Sequence, residues 1–240
     1  MDIKNVPKTV IIVPAYNEED NIAKTLEGLM ALKNELNNVE ICVVNDGSHD
    51  RTKEIVETFE VVQINLPQNL GIGGAVQTGY KYACNHGFEI AVQFDADGQH
   101  NIQDFVNLIQ PIMNQEQDMV IGSRFLQKTD YRGSRIRRIG IYYFYLVLRL
   151  LTRKKFTDPT SGYRAINRTV IELFAHHYPR DYPEPEVLMH LSRKGMRIKE
   201  VPANMQSRQG GASSITTWKS FYYFGKVTLS ILMSSIVKEY

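Results

Sequence analysis

The chain has 240 residues, and 43% of them are hydrophobic, which suits one α/β domain with a buried core. Its two cysteines, Cys42 and Cys84, have neither CxxC spacing nor a histidine partner, so the sequence argues against a disulfide-stabilised secreted fold. The net charge of +2 hides an acidic half (residues 1–120, 7 Lys and Arg against 18 Asp and Glu) and a basic half (residues 121–240, 21 against 8), which suit a metal site and a phosphate or anionic membrane surface, respectively.

Short apolar runs alternate with helical patterns through the first half of the chain. The predicted strands are 9–13, 40–44, 61–64, 90–94 and 119–121, and the predicted helices are 18–33, 51–58, 74–85 and 103–113. This alternation predicts right-handed βαβ units and a doubly wound, mostly parallel sheet. Ligands of such sheets bind outside the carboxyl ends of the strands.

Three polar motifs fall at those predicted strand ends. They are PAYNE (14–18), NDGS (45–48) and DADG (95–98). Each motif taken singly is explained as well by a turn or a helix cap: Asn17 and Asp50 are good N-cap residues, and Asp46 could simply begin a turn. Three motifs at three strand ends together predict an active site.

The second half of the chain has a different character. Arginines at 135–138 lead into an aromatic-rich helix at 139–151, and residues 152–216 are predicted to be irregular. Residues 218–237 form a predicted helix with Leu229 among its apolar face and lysines opposite. We therefore divide the chain into a main domain, 1–217, and a C-terminal amphipathic helix, 218–240.

Neither of these two helices offers the roughly 20 uninterrupted apolar residues of a membrane span. An interfacial, amphipathic role at a membrane surface is the expectation. The alternative is a helix that packs on the core or on another subunit. The polar start, 1–8, lacks a secretory signal, so a cytoplasmic location is expected.

The DAD motif carries the most specific chemistry. Asp95 and Asp97 are two positions apart on a turn that leaves an apolar strand, so both carboxylates can face one hard cation. Mg²⁺ or Mn²⁺ takes one or two carboxylates and leaves its other positions to phosphate and water. Gln99 and His100 follow at once and could add a ligand or a polar contact.

A glycine-rich stretch at 69–75 (NLGIGGA) opens a predicted helix and invites comparison with nucleotide-binding motifs. It does not follow the first strand as GxGxxG, and it lacks the Gly-Lys-Ser/Thr of a P-loop. A nicotinamide-dependent enzyme and a P-loop NTPase are therefore disfavoured.

The full series of motifs resembles glycosyltransferase family 2, and within it the dolichol- and polyprenyl-phosphate hexosyltransferases. The motifs are PAYNE (14–18), NDGS (45–48), NLGIGGAVQTG (69–79), DADGQH (95–100), GSR (122–124) and SGYRA (161–165), and together they cover roughly residues 8–215. The resemblance implies a GT-A fold, a nucleotide-sugar donor and an inverting reaction.

The resemblance also implies roles for individual residues. The residues implied to bind the nucleotide sugar are Pro14, Ala15, Tyr16, Glu18, Asp46, Gly74, Asp95 and Ala96, and those implied to hold the metal are Asp95, Asp97 and Gln99. Arg124, Arg138 from the 135–138 cluster and Arg208 are implied to bind the acceptor phosphate and diphosphate. Asp158 is implied to lie near the sugar, and Asp97 to act in catalysis.

The expected reaction moves a hexose from UDP-hexose, preferred over GDP-hexose, to undecaprenyl or dolichyl phosphate at the cytoplasmic membrane face. The alternative acceptor is a sugar or wall-polymer hydroxyl, which needs a carboxylate base such as Glu184 or Glu186. A nucleic-acid-binding module is disfavoured, because the carboxylates of the motifs repel phosphate unless a metal intervenes. Membrane attachment would come from the amphipathic segments or from a small membrane-protein partner, and the aromatic helices could pair two copies of the chain.

Overall fold

The computed structural model describes residues 4–127, 135–181, 183–205, 225–231 and 233. Their elements run in the order β1 (Asn5–Ala15), α1 (Ile22–Glu35), β2 (Asn37–Asn45), α2 (Thr52–Val56), β3 (Val62–Asn65), α3 (Gly71–Asn85), β4 (Ile90–Gln93), a 3₁₀ turn (Ile102–Asp104), α4 (Phe105–Met113), β5 (Met119–Ser123), α5 (Arg135–Thr152), β6 (Arg164–Asn167), α6 (Arg168–His176), α7 (Pro183–Arg193) and β7 (Ile198–Pro202). Within these residues the strands form one sheet in the order β3-β2-β1-β4-β6-β5-β7.

The sheet is mostly parallel, as predicted. Strand β1 pairs in parallel with β2 and β4, β2 pairs in parallel with β3, and β5 pairs in parallel with β7. Strand β6 runs antiparallel to both of its neighbours, β4 and β5. The reversal puts the start of β6 at the same edge of the sheet as the carboxyl ends of the parallel strands.

Hydrophobic cores lie on both faces of the sheet, because interior strands such as β1 are apolar on both sides. In β1, Ile11 and Val13 belong to the core that α1 and α4 cover. Val10 and Ile12 belong to the core that α3, α5, α6 and α7 cover. This alternation follows from the two-residue repeat of a strand, and helices on both faces are what a doubly wound sheet requires.

Helix α3 lies unusually close to β1. Its buried positions include Ala75, Val76, Tyr80 and Ala83, which recur at helical spacing. A Cβ atom at Gly79 would come within 2.3 Å of Ile12 Cγ2, so this contact is open only to glycine. Glycine at this position therefore sets how closely α3 approaches β1.

The prediction that residues 152–216 are irregular was wrong. The structure places β6, α6, α7 and β7 in this region. These elements are only four to eleven residues long, so their apolar positions give little periodicity in the sequence. Their order comes from the tertiary structure, in which β6 inserts between β4 and β5.

The described part of the C-terminal segment is helical and packs on the protein. Val227 and Ile231 are buried in the second core, whereas Leu229 is 60% exposed and Met233 is 56% exposed. Most of the predicted helix at 218–237, and the boundary at 217, lie outside the described residues. No helix in the described part of the chain combines the length and the apolar character needed to cross a membrane.

Candidate active site

The three polar motifs PAYNE, NDGS and DADG and the DPTSGYRA stretch gather at one edge of the sheet. Strands β1, β2 and β4 are parallel, and β5 runs in the same direction because β4 and β5 are both antiparallel to β6. The carboxyl ends of these four strands therefore lie at this edge. Antiparallel β6 begins here, and its Arg164 pairs with Gln93 at the end of β4. The DPTSGYRA stretch therefore meets the DAD motif, although the two are more than sixty residues apart in the chain.

The turns that follow β1 and β2 are hydrogen-bonded to each other. The Asn17 amide donates to Ser48 Oγ (3.0 Å), and the His49 amide donates to Asn17 Oδ1 (2.9 Å). The Glu18 amide donates to Thr52 Oγ1 (2.8 Å). Asn17 adopts a φ of 53°, a left-handed conformation that asparagine tolerates better than most residues. Asn17 is thus a connector of the two turns rather than a simple helix cap.

The residues predicted to line the nucleoside pocket differ in exposure. Pro14 and Ala15 are buried at the end of β1, and Glu18 is half-buried. The ring of Tyr16 is 41% exposed and lies edge-on to His49, with 6.5 Å between ring centroids. An exposed aromatic ring at this position offers a flat apolar surface to a nucleobase.

Asp46 links β2 to the start of α3. Its Oδ1 accepts a hydrogen bond from the Leu70 amide (2.7 Å) and its Oδ2 accepts one from the Gly71 amide (3.0 Å). Burial raises the pKa of this carboxyl group, although the two backbone donors oppose that shift. Asp46 therefore holds the glycine-rich turn in place. Gly74, another predicted donor-binding residue, lies half-buried in the first turn of α3.

The Asp95 carboxylate is enclosed on several sides. His100 Nε2 lies 3.0 Å from Asp95 Oδ2, and Gln93 Nε2 lies 3.4 Å from Asp95 Oδ1. A Cβ atom at Gly162 would come within 2.7 Å of Asp95 Oδ2, so glycine makes room for the carboxylate. Burial by itself would raise the pKa of Asp95, but His100, the Gln93 hydrogen bond and the charge of Arg124 together lower it.

The rest of the DADGQH loop is also ordered by hydrogen bonds. Asp97 Oδ1 accepts from the Gln99 amide (3.1 Å), and both side chains are half-buried. The Ala96 side chain is buried in the first core, and its carbonyl accepts from Thr25 Oγ1 (3.1 Å). Ala96 can therefore meet a ligand only through its backbone.

This loop fits a divalent cation that is shared with a diphosphate. Asp95 and Asp97 offer hard carboxylate oxygens, and the Asp95 side chain is 34% exposed, so a ligand can reach it. Among the described residues no group of three or more His, Cys, Asp and Glu side chains is placed to hold a metal by itself. Two carboxylates with Gln99 leave the remaining ligand positions to phosphate and water, the set that Mg²⁺ and Mn²⁺ accept.

Arg124 and Asp158 form one buried ion pair. Arg124 Nε lies 2.6 Å from Asp158 Oδ2, and Arg124 Nη2 lies 2.6 Å from Asp158 Oδ1. The two residues are 2% and 0% exposed. The family resemblance implies different roles for them, at the acceptor phosphate and near the sugar, and the structure shows that the two side chains bind each other.

The other residues predicted to contact the acceptor have fewer described contacts than Arg124 and Asp158. Arg138 is exposed on α5, and Arg208 lies outside the described residues. Glu184 and Glu186 lie in the first turn of α7. Burial raises the pKa of Glu184, which lies close enough to Arg164 for the guanidinium charge to oppose that shift.

Two residues beside the candidate site, Glu200 and Tyr163, are not among those predicted to form it. Glu200 of β7 accepts hydrogen bonds from the Thr157 amide (2.8 Å) and the Asp158 amide (2.8 Å), so it orders the turn that carries Asp158. Tyr163 stacks on His100, with 4.7 Å between centroids. The motif SGYRA signals the importance of Tyr163, but nothing in the sequence singles out Glu200, because β7 was not predicted.

Comparison with known proteins gives a consistent result. The family described as "Glycosyl transferase family 2" matches residues 10–174. The UDP-N-acetylglucosamine–dolichyl-phosphate N-acetylglucosaminyltransferase of Methanococcus voltae is 31% identical over 236 residues, which cover 88% of this chain and 92% of that protein. The undecaprenyl-phosphate mannosyltransferase of Micrococcus luteus is 28% identical over 222 residues, which cover 87% and 88% of the two chains.

A solved structure with the same fold is the glucosyl-3-phosphoglycerate synthase of Mycobacterium tuberculosis in complex with Mn²⁺ and UDP-glucose. Its TM-score is 0.73 at 20% identity, with 97% of this chain and 80% of that chain covered. The likeness confirms the expected GT-A type of α/β fold. Motifs, fold and family match agree: this chain belongs to glycosyl transferase family 2 and is a glycosyltransferase.

Proposed function

We propose that this enzyme transfers a hexose from a nucleoside diphosphate sugar to polyprenyl phosphate, with inversion and with a divalent metal. The observation that carries the donor side is the Asp95–Asp97 turn directly after β4, in which Asp95 is held by His100 and remains one-third exposed. The acceptor is supported by the relatives named above, which are named for dolichyl phosphate and undecaprenyl phosphate.

UDP is the preferred nucleotide, with GDP as the alternative. The Methanococcus voltae relative is named for a UDP sugar, and the Mycobacterium tuberculosis structure contains UDP-glucose. In this chain the exposed Tyr16 ring and the turn that Asp46 holds would line the nucleoside. Asp95, Asp97 and Gln99 would hold Mg²⁺ or Mn²⁺, which neutralises charge on the diphosphate when bound.

The reaction is a single in-line displacement at the anomeric carbon. An oxygen of the acceptor phosphate forms the new bond to that carbon while the bond to the diphosphate oxygen breaks, and the nucleoside diphosphate leaves. The acceptor oxygen is already an anion, so no proton has to be removed. Arginines then become the main acceptor-binding groups, because guanidinium pairs with phosphate through two hydrogen bonds. Arg138, which is exposed on α5, and Arg208, which lies outside the described residues, are the candidates for direct contact, whereas Arg124 is engaged by Asp158.

Transfer to a sugar or polymer hydroxyl is the second candidate, and Glu184 is the observation that favours it. A hydroxyl acceptor needs a base whose pKa lies near the working pH. Burial raises the pKa of Glu184, and Asp95 of the metal loop contributes to that shift. Glu184 is thus the group that would accept the hydroxyl proton.

We place the enzyme at the cytoplasmic face of the membrane, held by an apolar surface on α5 and the C-terminal helix. This surface consists of Ile139, Tyr142, Tyr143, Leu146, Leu150, Leu229 and Met233, all of which are 38–81% exposed. Tyr143 Oη lies 2.9 Å from Thr228 Oγ1, so the two helices are in contact. Exposed Arg138 and Arg149 add attraction to anionic lipid. A small membrane protein or a second copy of the chain is the alternative occupant.

A transfer assay with matched acceptors tests the proposal. Purified full-length protein is given radiolabelled UDP-glucose, UDP-N-acetylglucosamine or GDP-mannose, and either undecaprenyl phosphate, undecaprenol or an oligosaccharide. Label should enter undecaprenyl phosphate alone, should disappear with EDTA and return with Mn²⁺ or Mg²⁺. Asp97→Asn should abolish transfer.

Undecaprenol is the informative control, because it differs from the expected acceptor only by the phosphate. Transfer to undecaprenol or the oligosaccharide, but not to undecaprenyl phosphate, would overturn the proposed acceptor. Loss of that transfer in Glu184→Gln would then assign Glu184 as the base. Full activity in EDTA would overturn the metal assignment.

A further inference from the structure

His100 occupies an unusual position at the base of the metal loop. Its side chain is 1% exposed. The ring stacks on Tyr163 at 4.7 Å and an angle of 27°, and it meets the edge of Phe94 at 5.2 Å. The ring therefore cannot rotate without displacing two buried aromatic neighbours, and its Nε2 points at Asp95 Oδ2 from a fixed place.

Among the described residues, Asp95 is the hydrogen-bond partner of the His100 ring. Because the partner is a carboxylate, the hydrogen bond to Asp95 requires that Nε2 carry the proton. The other nitrogen, Nδ1, is buried and has no hydrogen-bond partner among the described residues. A buried polar atom without a partner is destabilising, so an apolar ring would fill this space at lower cost. The contact with Asp95 is what a histidine adds here.

A second wall confines the same carboxylate. Gly162 lies against Asp95, where a Cβ atom would come within 2.7 Å of Oδ2 and 2.8 Å of Oδ1. Gly162 is held in place on both sides: Ser161 Oγ donates to the Gly122 carbonyl (2.7 Å), and Tyr163 packs on His100. Arg164 donates to the Ser161 carbonyl (2.6 Å) and closes this segment.

We propose that His100 is a positioning residue for metal binding, and that it acts with Gly162 to fix the Asp95 carboxylate in the orientation that receives the cation. With Oδ2 engaged by His100, Oδ1 has among the described residues only a long contact of 3.4 Å to Gln93, and it would be the oxygen that binds the cation. A carboxylate that is already oriented loses less side-chain freedom when the cation binds. This inference rests on the proposed metal dependence of the enzyme.

The SGYRA motif thereby gains a function that differs from substrate binding. Gly162 leaves space for the Asp95 carboxylate, and Tyr163 stacks on the His100 ring. Arg164 donates a hydrogen bond to the Ser161 carbonyl and so holds the turn before β6. Positioning groups of this kind typically change metal affinity 10- to 100-fold when they are removed.

Two substitutions at His100 separate the hydrogen bond from the ring. His100→Phe keeps an aromatic ring against Tyr163 but removes the donor, whereas His100→Gln keeps an N–H near the position of Nε2. Mn²⁺ binding is measured by electron paramagnetic resonance on the full-length protein with UDP present, and thermal unfolding is followed in parallel. His100→Phe should weaken Mn²⁺ binding about 10- to 100-fold, and His100→Gln should restore most of it. His176→Phe, at an exposed position on α6, is the control and should bind Mn²⁺ like the wild type.

Gly162→Ala provides an independent route if His100→Phe does not fold. It leaves His100 in place but pushes a methyl group against the Asp95 oxygens, so it should also weaken Mn²⁺ binding. Wild-type affinity in either folded variant, His100→Phe or Gly162→Ala, would overturn the positioning role. Absence of Mn²⁺ binding in the wild type itself would instead overturn the metal dependence on which this role rests.

Discussion

At the residue scale, the Arg124–Asp158 pair shows how burial ties two side chains together. Both are almost completely buried, and two bonds of 2.6 Å join them. Glu200 orders the turn beneath Asp158 through the Thr157 and Asp158 amides. Removal of one member leaves an uncompensated charge in the interior, which is far costlier than the loss of an exposed ion pair.

We therefore expect Arg124→Ala to lower the free energy of unfolding by about 3–5 kcal/mol. Arg138→Ala, a matched change at an exposed arginine, should lower it by less than about 0.5 kcal/mol. Urea unfolding followed by circular dichroism measures both. Arg124→Ala with wild-type stability would show that Arg124 is not a structural residue, and it would return Arg124 to a direct role at the acceptor phosphate.

At the element scale, Asp118 joins the predicted strand β5 to β6 and β7, the two strands that were not predicted. It lies just before β5 and its carboxylate accepts from the Arg197 amide (2.7 Å) and Arg197 Nη2 (2.9 Å), just before β7. Its Oδ1 also accepts from Asn167 Nδ2 at the end of β6 (3.0 Å). The hydrogen bonds from Arg197 lower the pKa of Asp118 below its ordinary value of 3.8.

Because the folded pKa is depressed, this contribution to stability is present above pH 3.8 and is lost as the pH falls through the folded pKa. Asp118→Asn should lower the free energy of unfolding by about 1–2 kcal/mol at pH 7. The difference from the wild type should shrink progressively as the pH falls below about 4.

Urea unfolding between pH 7 and pH 3 measures that difference. Asp20→Asn, the same change at an exposed residue, should have little effect at any pH. A difference between Asp118→Asn and the wild type that stayed constant down to pH 3 would contradict the role of the ionised carboxylate.

At the scale of the whole molecule, the apolar surface of α5 and the C-terminal helix consists of large side chains that are exposed and lie outside both hydrophobic cores. Leu150 is 81% exposed and Ile139 is 68% exposed, so substitutions there remove little from the core. Val227 and Ile231 hold the C-terminal helix on the second core at the same time. The C-terminal helix thus packs on the core with one face and exposes apolar side chains on the other.

If this surface binds the membrane, Ile139→Glu combined with Leu150→Glu should reduce binding to anionic vesicles at least about tenfold, because two apolar anchors are lost and two repelled charges are added. Thermal stability and UDP binding should be unchanged. Vesicle flotation with phosphatidylglycerol-rich and phosphatidylcholine vesicles measures the effect, and Thr169→Glu on exposed α6 controls for added charge. A wild-type protein that ignores vesicles, yet changes from oligomer to monomer with the double substitution, would assign the surface to a second copy of the chain.

The sequence by itself determined the parallel half of the fold and the strand ends at which the polar motifs lie. Strands such as β1 and β2 are continuous apolar runs, and each is followed by a polar motif, so both the element and its functional end are visible locally. The place of Asp95 and Asp97 just after β4 could be predicted for this reason, as could the membership of the family, since the motifs keep their order and spacing.

The tertiary structure alone decided which of these residues meet. Antiparallel β6 is four residues long, and it lies between β4 and β5 because it pairs with both strands. The residues of β4 with which it pairs are more than 70 positions away in the chain. That insertion brings Gly162 and Tyr163 to Asp95 and His100, and it brings Asp158 to Arg124. Local patterns in a sequence report which residues prefer to be buried or extended, whereas the partners of a buried charge are chosen by packing between distant segments. The residue types of the candidate site could therefore be predicted from the sequence, whereas the contacts between these residues could not.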